Sequence, residues 1–169
     1  MYYRGDPPVL EGYSDATWAS NKEDNSSTSG WVFLFGGVAI SWASKKQTCV
    51  ADSTMCSEFI ALASASKEAE WLRDLMYEIP LLVKPISPVA IHGDSESTLN
   101  RAYSQTYNGK SRHIALRHSL VRALIKGRVI SVDYVNTKLN MEDQFTKPLS
   151  RNSFDVMVQG IGLCLSSTP

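Results

Sequence analysis

Cysteine is scarce: there are three in 169 residues, and Cys49, Cys56 and Cys164 form no C-x-x-C pair. Three thiols cannot all pair with one another, so they read as free cysteines of a reducing compartment and not as a disulfide framework. Histidine also numbers three, and no Cys/His cluster with zinc-ligand spacing exists. No apolar run approaches the length of a membrane span. The opening residues, MYYRGDPPV, lack the pattern of a signal peptide, and there is no internal repeat or low-complexity tract. A soluble, intracellular protein with no membrane partner is expected. The most informative absence is local. Between Ser97 and Val132 there is no Asp or Glu, while Arg101, Lys110, Arg112, Arg117, Arg122, Lys126 and Arg128 all fall there. A net charge of zero therefore conceals a basic segment.

What is present fits one domain with a sizeable core: 43% hydrophobic and 20% charged residues are ordinary for a globular chain of this length. Residues 10–18 read as a strand, 21–30 as a polar turn, and 31–37 as a strand ended by two glycines, with 38–46 as its hairpin partner. Met55, Phe59, Leu62, Ser66, Ala69, Leu72, Met76 and Ile79 recur at spacings of three and four, which predicts a long helix over 53–79. Ser53 or Thr54 can cap its start, and Pro80 stops it. A strand over 89–95, a short helix near 96–105, a loop at 107–113, a helix over 114–126, a strand over 129–135 and a last helix from near Asn140 follow. The order β-β-β-α-β-α-α-β-α predicts one mixed sheet with helices packed on it.

Four acids sit in or beside elements that should be packed: Asp15 in the first strand, Glu58 near the start of the long helix, Asp94 ending the next strand and Asp143 opening the last helix. Taken singly, each has an ordinary explanation as a turn residue, a helix N-terminal acid or an N-cap. Taken together, like charges converging on one place raise one another's pKa and destabilise the fold unless cations bind. An oxygen-only ligand set favours Mg2+ or Mn2+ over zinc. Two such ions about 4 Å apart stabilise the attacking and leaving oxygens of an in-line phosphoryl displacement.

The stretches GYSDATWAS, STSGWVFLFGGVAISWASKKQ, STMCSEFIALASASKEAEWL, IHGDS, YNGKSRH and EDQFTKPL follow in this order from residue 12 to residue 149. In them the sequence resembles the ribonuclease H domain of copia-type LTR retrotransposons, which follows the reverse transcriptase in the Pol polyprotein. The resemblance implies a ribonuclease H-like α/β fold. Its sheet would have five mixed strands, three antiparallel and then parallel ones, with helices on both faces. It also implies a two-metal site that cleaves the RNA strand of RNA–DNA hybrids, using Mg2+ with Mn2+ as substitute, and its matching positions are Asp15, Glu58, Asp94 and Asp143. The implied partners are the hybrid and the reverse transcriptase domain of the same polyprotein, and the implied location is a cytoplasmic virus-like particle or the nucleus. On this reading residues 1–9 are the remnant of a linker, 10–150 the domain and 151–169 a C-terminal tail.

There are departures. Cys56 stands where many relatives carry a second Glu, Ala115 replaces an acid found in some, and the loop VNTKLNM has no His before the last Asp. They leave open a domesticated or decayed domain that binds nucleic acid or a protein without cleaving. In the basic segment Lys110, Arg112, His113 and Arg117 are the expected phosphate contacts, against the ordinary reading of a solvated helix face. His92 and His118 read as structural, and Trp18, Trp31, Trp42 and Trp71 as core or core-edge residues.

Overall fold

Two adjacent glycines make the first tight turn. Gly36 and Gly37 have φ of 57° and 74°, a pair of positive values that closes a two-residue hairpin with the twist its strands need. The hairpin joins β2 (Thr28–Phe35) to β3 (Val38–Lys46), and β1 (Leu10–Thr17) pairs antiparallel with β2 along its whole length. The computed structural model describes residues 8–20, 25–107, 109 and 111–136. Within these, α1 (Thr54–Glu78) leads to β4 (Val89–Gly93), then α2 (Glu96–Tyr103), α3 (Arg112–Lys126) and β5 (Ile130–Tyr134). The five strands form one sheet in the order β3-β2-β1-β4-β5, with β4 parallel to both β1 and β5. The expected mixed sheet is the observed one. The last helix, the tail from 151 and all but the end of the expected linker lie outside the described residues.

The main core lies between the sheet and the three described helices. Leu10, Trp31, Phe33, Val89 and Ile91 meet Phe59, Leu62 and Leu72 of α1, Ala102 of α2, and Ile114 and Val121 of α3. On the other face of β2, Val32 and Leu34 form a smaller cluster with Ala39 and Tyr13. Ser53 caps α1 as expected, its hydroxyl accepting from the Cys56 amide at 3.2 Å. The first half of α1 is buried on nearly all sides, Ser57, Ile60 and Ala61 included, because α1 is central to the layer and meets the sheet, α2 and α3 at once.

Some expectations shift. Ile79 is the C-cap of α1, 40% exposed, and not part of the buried stripe. The helix predicted from residue 114 begins at Arg112, behind Ser111 as N-cap. Of the tryptophans only Trp31 is buried; Trp18, Trp42 and Trp71 are about half exposed or more. The thiols of Cys49 and Cys56 are free and half-buried.

Gly12 has a packing reason. A Cβ there would sit 2.3–2.9 Å from the ring of Phe33, its cross-strand partner. Gly12→Ala is expected to destabilise the fold by about 1–3 kcal/mol through overpacking, read as a lower denaturant midpoint with unchanged slope.

Candidate metal centre

The site begins where two strands part. β1 and β4 pair in parallel only from Glu11↔Ala90 to Tyr13↔His92. Beyond that register Ser14–Asp15 of β1 and Gly93 of β4, with Asp94 after it, no longer pair with each other. β1 keeps its antiparallel partner β2 out to Thr17↔Thr28. A crevice outside the carboxyl ends of strands is where open α/β sheets collect ligands.

Three of the four sequence-predicted acids converge there. Asp15, Glu58 and Asp94 each offer a carboxylate oxygen, and these oxygens all lie within 4.8 Å of one another. Asp15 is 4% exposed, Glu58 9%, and Asp94 sits half-buried at the mouth. Glu58 enters from the second turn of α1, where the cap at Ser53 fixes the start of the helix. Asp143 lies outside the described residues. Asp133, the other acid near the end of the sheet, is not among the converging groups; it is exposed on β5, opposite His92.

Burial pushes the Glu58 carboxyl up to about 9, helped by the negative charges of Asp15 and Asp94 and a side-chain hydrogen bond with Asp15. The backbone N–H of Ala16, one residue after Asp15, opposes the shift by stabilising the carboxylate. At neutral pH the metal-free protein therefore keeps a proton on Glu58, which relieves the repulsion among the three acids. A divalent cation held among the three acids would relieve the same repulsion. Ligands about 2.1 Å from an octahedral ion lie about 3–4 Å apart, which is the spacing this oxygen-only set approaches. The residues fit a hard cation, and binding would displace the Glu58 proton.

A cleft of 580 Å3 adjoins the start of α1. It is lined by Met55 from α1, by Ser97, Asn100 and Arg101 from α2, and by Ser104, Thr106 and Tyr107 beyond it. Of this lining, Ser97, Asn100, Ser104 and Thr106 carry no mark in the sequence, because serines, a threonine and an asparagine near a helix have no distinguishing pattern. Beneath them His118 is structural as expected. It is buried, its Nε2 donates to the carbonyl of Arg101 at 3.1 Å, and its ring lies between Phe59 and Tyr107. His92 is also a packing residue, 3.6 Å from the Glu11 carboxylate with its ring 4.9 Å from Tyr13.

The basic residues divide. Arg112 is exposed on the first turn of α3. His113 and Arg117 are half-buried and line a groove of 370 Å3 with Lys67 of α1; Arg117 also donates to the His113 carbonyl at 3.0 Å. Arg122 is turned inward, donating to the carbonyls of Tyr103 and Ser104 at the end of α2. Lys110 lies outside the described residues.

No protein-family model matches the chain. It is similar over nearly its whole length to retrovirus-related Pol polyproteins. The one from transposon TNT 1-94 of Nicotiana tabacum is 33% identical over 96% of this chain, and that from transposon RE1 of Arabidopsis thaliana 31% over 95%. The chain spans only 12% and 11% of the length of those two proteins. Among solved structures, ribonuclease H1 of Halobacterium salinarum superposes with a TM-score of 0.55 at 16% identity, covering 79% of this chain and 90% of that one. LC11-RNase H1, solved with an RNA/DNA hybrid, gives 0.56 at 15% identity, covering 80% and 91%. The fold is ribonuclease H-like, and the resemblance to the Pol polyproteins of transposons holds across the chain.

The raised Glu58 pKa has a consequence for stability. The folded state binds more protons than the unfolded chain between an ordinary glutamate pKa of about 4.3 and the folded value of about 9. Stability of the metal-free protein should therefore be highest below that window and fall as pH rises through it. Thermal unfolding from about pH 5 to about pH 9 should show this fall in wild type and a flatter profile in Glu58→Gln; parallel profiles would contradict it.

Proposed function

We propose that this chain is a metal-dependent endoribonuclease that hydrolyses the RNA strand of RNA–DNA hybrids by a two-metal mechanism. Mg2+ would be the resident ion, with Mn2+ as substitute. The observation that carries the reading is the gathering of Asp15, Glu58 and Asp94, from three separate elements, into one corner within 4.8 Å. Such a corner is costly to maintain without a cation. The ribonuclease H-like fold, which LC11-RNase H1 shares while holding a hybrid, supports the substrate class. Similarity to transposon Pol polyproteins supports a place beside a reverse transcriptase domain, where template RNA must be removed after first-strand synthesis.

Asp15, Glu58 and Asp94 would hold the cations, with Asp143 as the fourth ligand. The bound ions supply an activated water and charge stabilisation for the leaving oxygen. The chain's own side chains do the rest. Lys110, Arg112, His113 and Arg117 neutralise phosphates and set the position of the duplex without reading its sequence. Ser97, Asn100, Ser104 and Thr106, lining the cleft at the start of α1, suit the 2′-hydroxyls that separate RNA from DNA. The half-exposed position of Asp94 leaves the mouth of the site open to a backbone phosphate.

Cleavage of a labelled hybrid in Mg2+, compared with EDTA, tests the activity. Asp15→Asn and Asp94→Asn are each expected to lose at least about a hundredfold in rate. Equal cleavage by wild type and both variants would remove these acids from the site. Hybrid binding without turnover in either metal would replace the reading with that of a decayed binding domain. Lys110→Ala with Arg112→Ala should weaken hybrid binding and reduce the slope of log affinity against log salt by about 2; an unchanged slope would place the phosphate contacts elsewhere.

A further inference from the structure

Gln47 follows the last residue of β3 and is 7% exposed, a long polar side chain held inside. Its Nε2 donates to Ser29 Oγ at 2.8 Å and to the carbonyl of Ser57 at 2.9 Å. Its backbone N–H donates to the Ser27 carbonyl at 2.8 Å. The Ser57 carbonyl can only accept, so the amide nitrogen must face it; turning the amide over would set two acceptors against each other. Oε1 is left buried with no hydrogen-bond partner among the described residues. A buried acceptor without a partner is destabilising, so the arrangement is held for what the nitrogen does.

The two acceptors are not arbitrary. Ser57 immediately precedes Glu58. Ser29 pairs across the sheet with Ala16, which follows Asp15 and whose N–H bonds to Glu58. The contacts therefore close a ring: Ala16 on β1, Ser29 on β2, Gln47, Ser57 on α1, Glu58, and back to Ala16. A second tie runs beside it, from the Trp18 indole N–H to the Ala51 carbonyl at 3.0 Å, joining the end of β1 to the segment just before the α1 cap.

We propose that Gln47 is a positioning residue of the metal centre: it pins the first turns of α1 to the sheet and so sets where the Glu58 carboxylate stands relative to that of Asp15. The proposal rests on the metal-binding reading of the three acids. Mn2+ binding measured by calorimetry, with no nucleic acid present, tests it. Gln47→Met keeps the length and cannot donate; its Mn2+ dissociation constant should rise about tenfold while its circular dichroism stays native. Arg73→Met is the control, because Arg73 makes a comparable tie at the other end of α1, donating to the Ile86 carbonyl at 3.3 Å. It should lower the melting temperature and leave Mn2+ affinity alone. Ser29→Ala, a milder cut of the same ring, should weaken Mn2+ binding about threefold, and serves where Gln47→Met does not fold. Mn2+ affinity equal to wild type in Gln47→Met or Ser29→Ala overturns the proposal. Wild type that binds no Mn2+ overturns the metal reading itself, a result distinct from the first.

Discussion

Carboxylates packed within 4.8 Å of one another in a largely buried corner repel, and something must do the work of keeping them there. Much of this fold can be understood from that requirement. The acids arrive on three elements that the main core locks together: β1 and β4 as neighbouring strands, and α1 laid across them through Phe59 and Leu62. Pairing between β1 and β4 ends at Tyr13↔His92, just short of the acids, so these two strands part where the charge collects. The protein answers the repulsion in two ways. It holds a proton on Glu58, and it ties the start of α1 to β2 and to the end of β1 through Gln47 and Trp18. A divalent cation would replace the proton without changing the scaffold, which is the physical content of the proposed metal centre.

The cleft and the basic residues take their meaning from that corner. α2 begins at Glu96 behind its N-cap Ser95, the residue after Asp94, and its Ser97, Asn100 and Arg101 line the cleft at the start of α1. The basic segment is not one uniform face. Arg122 closes the end of α2 and Arg117 is partly spent on its own helix, whereas Arg112 is exposed on the first turn of α3. A charge count along the sequence does not separate cations that hold backbone carbonyls, as Arg117 and Arg122 do, from those on the surface.

The eight described elements were legible from periodicity and turn chemistry, because their signals are local: the Gly36–Gly37 turn, the three-and-four spacing of α1, the Ser53 cap. The converging acids were legible only as a set, since each has an ordinary local explanation and it is the sheet topology that brings them together. Gln47 was not legible. One glutamine after a pair of lysines has no periodic or compositional mark, and its role depends on Ser29 and Ser57, 18 and 10 residues away. The tryptophans divide between core and core-edge, which sequence does not distinguish. Their hydrophobicity predicts burial, yet Trp18 is anchored through its N–H and remains 48% exposed.

The most direct test of the account is a crystal structure of the protein grown with saturating Mn2+, with anomalous scattering used to place the ion. The account predicts an anomalous peak about 2.2 Å from carboxylate oxygens of Asp15, Glu58 and Asp94, with α1 and the sheet unmoved. A saturated crystal with no peak between these three residues, or with Mn2+ bound only elsewhere, would contradict it.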